Sequence, residues 1–187
     1  MRTPVFLQND EADCSCACLA SVAKYYKHSI SLAKCRQLIR VDSEGASMYG
    51  LVQGAIQIGF DAQAQKGTWQ ELQDKINQGI LPIPFIAHTI QNDYAHFIVV
   101  YNITSSKIVV VDPAKGRVSL TINDFLEIWT GKIISLYPNK QFYKKKSIDS
   151  TLKYFARLLV KEKYSLICVM LISFIMTGIS LLGATFF

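Results

Sequence analysis

Three cysteines occupy every second position of one short stretch near the N-terminus, QNDEADCSCACLASVAKYY, where an amphipathic helix is expected to begin. A thiol becomes a strong nucleophile when it loses its proton, and the free N–H groups and dipole of a helix N-terminus favour the thiolate. Only Cys14 lies at that position. Cys14 and Cys18 share a helix face, whereas Cys16 is about 200° around the axis, so the three cannot converge on one metal ion. The spacing predicts a nucleophile at Cys14, with Cys16 and Cys18 as small core residues.

A thiol nucleophile needs a general base, and the chain contains three histidines. His28 falls in a turn after the first helix and is expected to be solvated. His88 ends an apolar strand, where a histidine is either a base or, more commonly, bonded to the backbone. His96 and Asp112 lie eight residues on either side of Thr104, so a hairpin centred there places them directly opposite each other. The carboxylate would then orient the imidazole. An edge ion pair of no consequence is the alternative, and a slip of one residue would separate the two side chains.

An acyl-transfer site also needs donors for the oxyanion that forms during attack. Gln8, six residues before Cys14, carries a neutral amide that could complement a backbone N–H at the start of the helix. We therefore include Gln8 among the candidate catalytic residues.

Helices that come first and strands that come second are expected to position these residues. Asp13 is the expected N-cap of the first helix, and a Thr68–Glu71 capping box opens the fourth. Helices are predicted over residues 14–26, 31–39, 48–58, 69–78 and 122–129. From Leu81 onward, β-branched runs between turn residues predict strands in LPIPFIAHTI, HFIVVYNI, KIVVVDP, RVSL and KIISLYP. This order indicates an α+β fold with a helical layer on an antiparallel sheet.

The last 24 residues, YSLICVMLISFIMTGISLLGATFF, carry no charge, and as a helix they are long enough to cross a hydrocarbon core of roughly 30 Å. Residues 140–163 hold eight Lys or Arg against two acidic residues, which accounts for the whole net charge of +6. Such a cluster beside an apolar segment is typical of the cytoplasmic side of a membrane span and of contact with anionic lipid. A nucleic-acid groove would need basic residues spread over the folded domain, so no nucleic-acid partner is expected.

We therefore predict a cytoplasmic domain over residues 1–138, a basic linker with an amphipathic interfacial helix over 139–163, and a first transmembrane helix over 164–187. A buried core helix is the alternative for the last segment. Because the chain stops within or just after this segment, we expect it to be a piece of a longer protein. In a cytoplasmic setting its five cysteines should be reduced thiols.

Gln8, Cys14, His96 and Asp112 follow the chain order of a papain-like protease. Moreover, QNDEADC resembles the Gln-x-Asp-Glu-x-Asp-Cys opening of the peptidase domain in peptidase-containing ABC transporters, the exporters that mature bacteriocins, lantibiotics and peptide pheromones. The stretches ACLASVAKYY, GASMYGLVQGAIQIGF, LPIPFIAH, HFIVVYNI and VVDPAKG are similar to the same family, over about residues 5–138. The resemblance implies that Cys14 is the nucleophile, His96 the general base and acid, Asp112 its orienting group and Gln8 the oxyanion-hole side chain.

Members of that family cut a leader peptide after a Gly-Gly or Gly-Ala pair and export the released peptide with ATP. The resemblance thus implies a precursor with a Gly-Gly leader as substrate, and membrane lipid and a second copy of the transporter as partners. It also implies a plasma-membrane location with the peptidase domain on the cytoplasmic side. No GxxxxGKS or GxxxxGKT occurs, so no cofactor is expected in this segment, and ATP and Mg would bind elsewhere in the transporter.

Two rival functions share the same features. A peptidase-like domain that only docks the export substrate would have the same fold, and a thiol transferase or amidase would use the same residues on another acyl group. One departure from the family is Ser15, where a glycine usually follows the catalytic cysteine. Its side chain is expected near the oxyanion position, where it would affect the rate or the width of the subsite.

Overall fold

The computed structural model describes residues 3–43, 45–144 and 163–186. The chain divides into two compact units, Met1–Ser147 and Ile148–Phe187. The first unit contains all four candidate catalytic residues. Residues 145–162, which make up most of the predicted basic linker and interfacial helix over 139–163, lie outside the described residues.

Side-chain caps start most helices of the first unit. Ser31, Ser47, Thr68 and Thr121 each accept a hydrogen bond from a backbone N–H in the first helical turn, which satisfies a donor that has no partner within the helix. Because capping is local in sequence, the four predicted helices that these residues open agree with the structure to within one residue at each end, and the first predicted helix agrees equally well. The helices are α1 Cys14–Tyr25, α2 Leu32–Ile39, α3 Met48–Ile58, α4 Trp69–Asn77, α5 Ile122–Ile128 and α6 Lys140–Lys144.

The strands are β1 Phe60–Lys66, β2 Phe85–Gln91, β3 Tyr94–Ile103, β4 Lys107–Asp112, β5 Gly116–Thr121 and β6 Trp129–Pro138. They form one six-stranded sheet in the order β1-β6-β2-β3-β4-β5, and each neighbouring pair is antiparallel. The predicted α+β class with an antiparallel sheet is confirmed.

Strand β1 was not expected from the sequence. Its segment FDAQAQK pairs with β6 along its whole length, and the burial alternates at its start, with Phe60 and Ala62 inside and Asp61 outside. Alanine has low strand propensity, so this alternation is weak beside the β-branched runs that mark the other strands. The prediction that all strands follow all of the first four helices is therefore wrong at β1, which lies between α3 and α4.

Helices cover both faces of the sheet, because successive strand residues point to opposite sides. Ile86 and Val99 belong to the core cluster that contains the buried residues of α1, α2 and α3. Phe85, the neighbour of Ile86, belongs to a second cluster with Leu72 of α4 and Phe125 of α5. Helix α1 packs against β3, so the predicted nucleophile and the predicted base are carried by neighbouring elements.

The folded unit continues beyond Pro138, the predicted domain boundary. Phe142 of α6 is 1% exposed, and its ring centroid lies 4.5 Å from that of Phe60. Gly59 has a φ of +113°, and a Cβ added there would lie 2.5 Å from the Phe142 backbone nitrogen. Residues 139–142 therefore close the core at this corner, although their sequence is typical of a polar linker.

Phe142→Ala is expected to lower the free energy of unfolding by about 3–5 kcal/mol, because it removes a fully buried ring and leaves a cavity between Tyr26 and Phe60. Urea denaturation followed by circular dichroism measures this change. Gln141→Ala is the matched control, since this neighbouring side chain is exposed, and its effect should stay within about 0.5 kcal/mol. Equal losses for the two variants would show that α6 is not part of the core.

The second unit contains helix α7, Lys163–Phe186, which coincides with the uncharged C-terminal segment. Its described side chains, at Tyr164 and residues 167–178, are exposed. Among the residues that the structure describes, no helix combines the length and apolar character needed to cross a membrane. A membrane span at 164–187 stays a prediction.

Candidate active site

Cys14 is the first residue of α1 and is 5% exposed. A 3-10 turn over Glu11–Asp13 leads into it, and the side chain of Asp10 caps that turn by accepting a hydrogen bond from the Ala12 N–H. Asp13 occupies the predicted N-cap position of α1, but it does not cap the helix through its side chain. Its backbone is helical and its side chain accepts no capping hydrogen bond from α1.

Asp13 instead forms an ion pair with Arg36 of α2, in which the carboxylate is buried and the guanidinium side chain is partly exposed. The Arg36 Nε and Nη2 atoms each lie 2.5 Å from a carboxylate oxygen of Asp13, and Nη2 also contacts Asp10 at 2.7 Å. The Asp13 side chain is fully buried, and the hydrogen bonds from Arg36 hold its pKa below the ordinary value. The pair ties α2 to the residue that precedes Cys14. Sequence spacing offered no signal for Arg36, because the contact spans 23 positions between two helices.

His96 and Asp112 make the predicted contact, with 2.8 Å between Nε2 and Oδ1. The predicted register is wrong, however. Val99 pairs with Val111, so the same pairing continued would set Ile98, not His96, opposite Asp112. The turn lies later than its predicted centre, and the register shifts once within the hairpin. Together the two effects move the residue opposite Asp112 by two positions, from His96 to Ile98. Because side chains alternate between the faces of a strand, a shift of two keeps His96 and Asp112 on one face, as diagonal neighbours within reach of each other.

Electrostatics keep His96 protonated near neutral pH. Burial alone would lower the pKa of His96, but hydrogen bonds to Asp112 and Cys14, and their negative charges, raise it to about 9. Burial alone would likewise raise the pKa of Asp112, but hydrogen bonds from His96 and from the Ala114 N–H hold it below the ordinary value. At neutral pH the pair is therefore an imidazolium and a carboxylate.

The geometry allows His96 to serve Cys14 and Asp112 at the same time. Asp112 occupies Nε2, which leaves Nδ1 available to Cys14, the other residue that raises the His96 pKa. An imidazolium beside a thiol favours the thiolate, and the same proton can later pass to a leaving group. The His96 side chain is 14% exposed, so this exchange takes place largely shielded from bulk water. The arrangement suits nucleophilic attack on a carbonyl carbon.

Gln8 lies beside the same hairpin. Its backbone N–H donates to the carbonyl oxygen of Pro113, the residue after Asp112, at 3.0 Å. Its side-chain oxygen is buried and has no hydrogen-bond partner within the part of the chain that the structure describes. Ser15, the departure from the family pattern, has a fully buried side chain. The oxyanion role of Gln8 stays a prediction.

The other two histidines have structural contacts. The Thr130 hydroxyl donates to the carbonyl oxygen of His88 at 3.0 Å, so its oxygen accepts from Nδ1 of the same residue at 2.8 Å. Burial lowers the pKa of His88, which favours the neutral ring. His28, expected to be solvated, is half-buried, with its ring centroid 4.8 Å from that of Phe142. His96 is the histidine that meets the predicted nucleophile.

Of the remaining cysteines, Cys16, Cys18 and Cys35 are fully buried. Burial raises the pKa of Cys16 to about 12, so its thiol keeps its proton. The Cys18 Sγ donates to the carbonyl oxygen of Phe97 at 3.2 Å, a contact that sequence reasoning missed although it had placed Cys18 on the same face as Cys14. Among the described residues no cluster of metal-ligating side chains occurs.

A surface cavity of about 450 Å³ adjoins the turn before α1. None of the four candidate catalytic residues lines it. Its lining residues are Asp10, Glu11, Ala12, Asp13, Arg36, Val41, Asp42 and Ser43. The reaction site is therefore assigned from the chemistry of the Cys14–His96–Asp112 contacts, not from cavity size.

Known proteins are similar to this chain over most of its length. The lactococcin-G-processing and transport ATP-binding protein of Lactococcus lactis subsp. lactis is 36% identical over 165 residues, covering 85% of this chain and 22% of that protein. The mesentericin-Y105 transport/processing ATP-binding protein of Leuconostoc mesenteroides is 32% identical over 194 residues, covering 98% of this chain and 26% of that protein. The chain thus spans about a quarter of the length of these relatives.

Solved structures share the fold. The peptidase domain of Streptococcus ComA, a bi-functional ABC transporter involved in a quorum sensing pathway, matches with a TM-score of 0.68 and 31% identity, covering 74% of this chain and 100% of that one. A double glycine motif protease from an AMS/PCAT transporter, in complex with the leader peptide, matches with a TM-score of 0.67 and 26% identity, covering 74% and 93%. The model of the peptidase C39 family matches residues 2–141. Because this match covers most of the chain, the chain belongs to the peptidase C39 family of cysteine peptidases.

Proposed function

We propose that this chain removes double-glycine-type leader peptides from bacteriocin or peptide-pheromone precursors, with Cys14 as the nucleophile. The observation that carries the proposal is the position of His96, whose ring contacts Asp112 at 2.8 Å and whose pKa is raised by Asp112 and by Cys14. The choice of substrate is supported by the solved double glycine motif protease, which holds a leader peptide.

In the proposed reaction the Cys14 thiolate attacks the carbonyl carbon of the second glycine. Donors at the start of α1, complemented by the Gln8 amide, stabilise the oxyanion of the tetrahedral intermediate. His96 then gives its proton to the amine of the released peptide, and a thioester joins Cys14 to the leader. His96, now neutral, removes a proton from water, which hydrolyses the thioester and restores the ion pair. Asp112 keeps the imidazole oriented throughout.

The proposal extends to the protein that contains this domain. The relatives named above are transport ATP-binding proteins, and this chain matches about a quarter of each. We therefore place the domain on the cytoplasmic side of the plasma membrane, with the uncharged segment 164–187 as the first membrane span and the basic residues before it against anionic lipid. ATP and Mg would bind in another part of a dimeric transporter, and the peptidase residues themselves need no cofactor.

The test is to incubate the purified chain with a precursor peptide that carries a Gly-Gly leader and to identify the products by mass spectrometry. We expect two products, one of which is a leader that ends in Gly-Gly. A precursor with Val-Val in place of Gly-Gly is the matched control and should remain intact. Binding of the precursor without cleavage would favour the docking function, whereas acyl transfer to an added amine without a hydrolysed product would favour a transferase.

A further inference from the structure

Two buried side chains, neither of them a candidate catalytic residue, hold the main chain of β3 where it carries His96. The Thr89 hydroxyl donates to the carbonyl oxygen of His96 at 3.2 Å. The Cys18 thiol donates to the carbonyl oxygen of the next residue, Phe97, also at 3.2 Å. Both donor residues are 0% exposed. Successive carbonyls beside the base are thus fixed from two directions, from β2 and from α1.

This part of β3 has less strand pairing than the rest. On one side β2 pairs with β3 as far as Tyr94. On the other side, the pairing with β4 within the described residues ends at Val99 and Val111, three positions before His96 is reached. The main chain around His96 therefore has a strand neighbour on one side only. The Cys18 thiol, which comes from α1, supplies a restraint that a second ladder would otherwise provide, and the Thr89 hydroxyl adds a side-chain bond to the existing β2–β3 pairing.

Cys18 connects α1, which carries Cys14, with β3, which carries His96. It lies one helical turn after Cys14 on the same face of α1, and its acceptor is the residue that follows His96. Burial, and the negative charges of Cys14 and Asp112, raise the pKa of Cys18 well above its ordinary value. The thiol therefore keeps its proton through the reaction and remains a donor.

We propose that Thr89 and Cys18 are positioning residues of the peptidase, which fix the main chain at His96 so that its imidazole stays in contact with both Cys14 and Asp112. This inference rests on the proposed proteolytic function. Neither residue touches the reacting atoms in the proposed mechanism. Replacing either residue should therefore affect the rate of the chemical step and the pKa of His96, and leader binding should be preserved.

Thr89→Val removes the hydroxyl but keeps the shape and a high strand propensity, so the fold should survive. We expect kcat to fall roughly tenfold, because a displaced imidazole is no longer aligned with the thiol, while KM stays within about twofold. The alkaline limb of the pH profile should also move to lower pH, since longer contacts to Asp112 and Cys14 raise the pKa of His96 less. Cys18→Ala should behave in the same way.

Matched variants separate hydrogen bonding from packing. Thr89→Ser and Cys18→Ser keep a donor at each position and should restore most of kcat and the position of the alkaline limb. Cys16→Ala, an equally buried cysteine of the same helix about 200° from Cys18, should leave kcat unchanged. Circular dichroism verifies the fold of each variant.

The proposal is overturned if Thr89→Val and Cys18→Ala match the wild type in kcat and pH profile. It is also overturned if the serine variants lose as much as the apolar ones, or if the apolar variants only unfold. If the wild type does not cleave the leader precursor, the proposed function fails instead. The positioning role is then measured by the pH dependence of Cys14 alkylation by iodoacetamide, mapped by peptide mass spectrometry, which should shift in the same variants.

Discussion

Cleavage of a Gly-Gly leader precursor is expected to fall by about 10⁴-fold or more in Cys14→Ala, to the limit of detection. The reason is that the thiolate forms the covalent intermediate, and alanine leaves His96 with no nucleophile to activate. Product formation is followed by mass spectrometry over several hours. Leader binding, measured by isothermal titration calorimetry, should survive, because only one small side chain is removed at a buried position.

Cys16→Ala is the matched control for this prediction. It removes a thiol of the same kind two residues further along the same helix. Burial raises the pKa of this thiol and keeps it protonated. Its cleavage rate should stay close to that of the wild type. Normal cleavage by Cys14→Ala, or an equal loss in Cys16→Ala, would contradict the assignment of the nucleophile.

Asp112→Asn is expected to lower kcat by about 10²–10⁴-fold, because the amide no longer orients the imidazole or stabilises its charge. The pH profile should change as well. The wild-type activity should decline on the alkaline side near the His96 pKa of about 9. Without the carboxylate, burial lowers the pKa of His96 and only Cys14 opposes it, so the imidazolium is lost at lower pH and the alkaline limb moves down.

Asp93→Asn makes the same chemical change at the exposed tip of the β2–β3 hairpin and serves as the control. Its kcat and its alkaline limb should match those of the wild type. If Asp112→Asn keeps the wild-type pH profile, Asp112 does not set the protonation of His96, and the contact between them is the edge ion pair considered as the alternative.

Features encoded by neighbouring residues were predictable from the sequence. The Thr68–Glu71 capping box and the caps at Ser47 and Thr121 are local, and the helices they open agree with the structure. The β-branched runs marked five strands for the same reason. Strand β1 was missed because its inward positions include alanine, so that only its pairing with β6 identifies it.

The residues of the candidate site were predictable from the sequence, but the side chains that hold them in place were not. The spacing of His96 and Asp112 carried enough information to predict their contact, even though the hairpin register differs by two residues. Both positions still lie on one face, which a displacement by one residue would have prevented. By contrast, the bonds made by Arg36 and Cys18 connect elements far apart in the chain, and no sequence period marks such pairs.

The central claim is that the sulfur of Cys14 attacks the carbonyl of a Gly-Gly leader. Reaction with a leader peptide whose C-terminal Gly-Gly carries a chloromethyl ketone, followed by peptide mass mapping, tests it most directly. The claim predicts one covalent adduct, on Cys14, and its loss in His96→Ala. An adduct on another cysteine, or continued precursor cleavage by protein whose Cys14 is fully labelled, would contradict it.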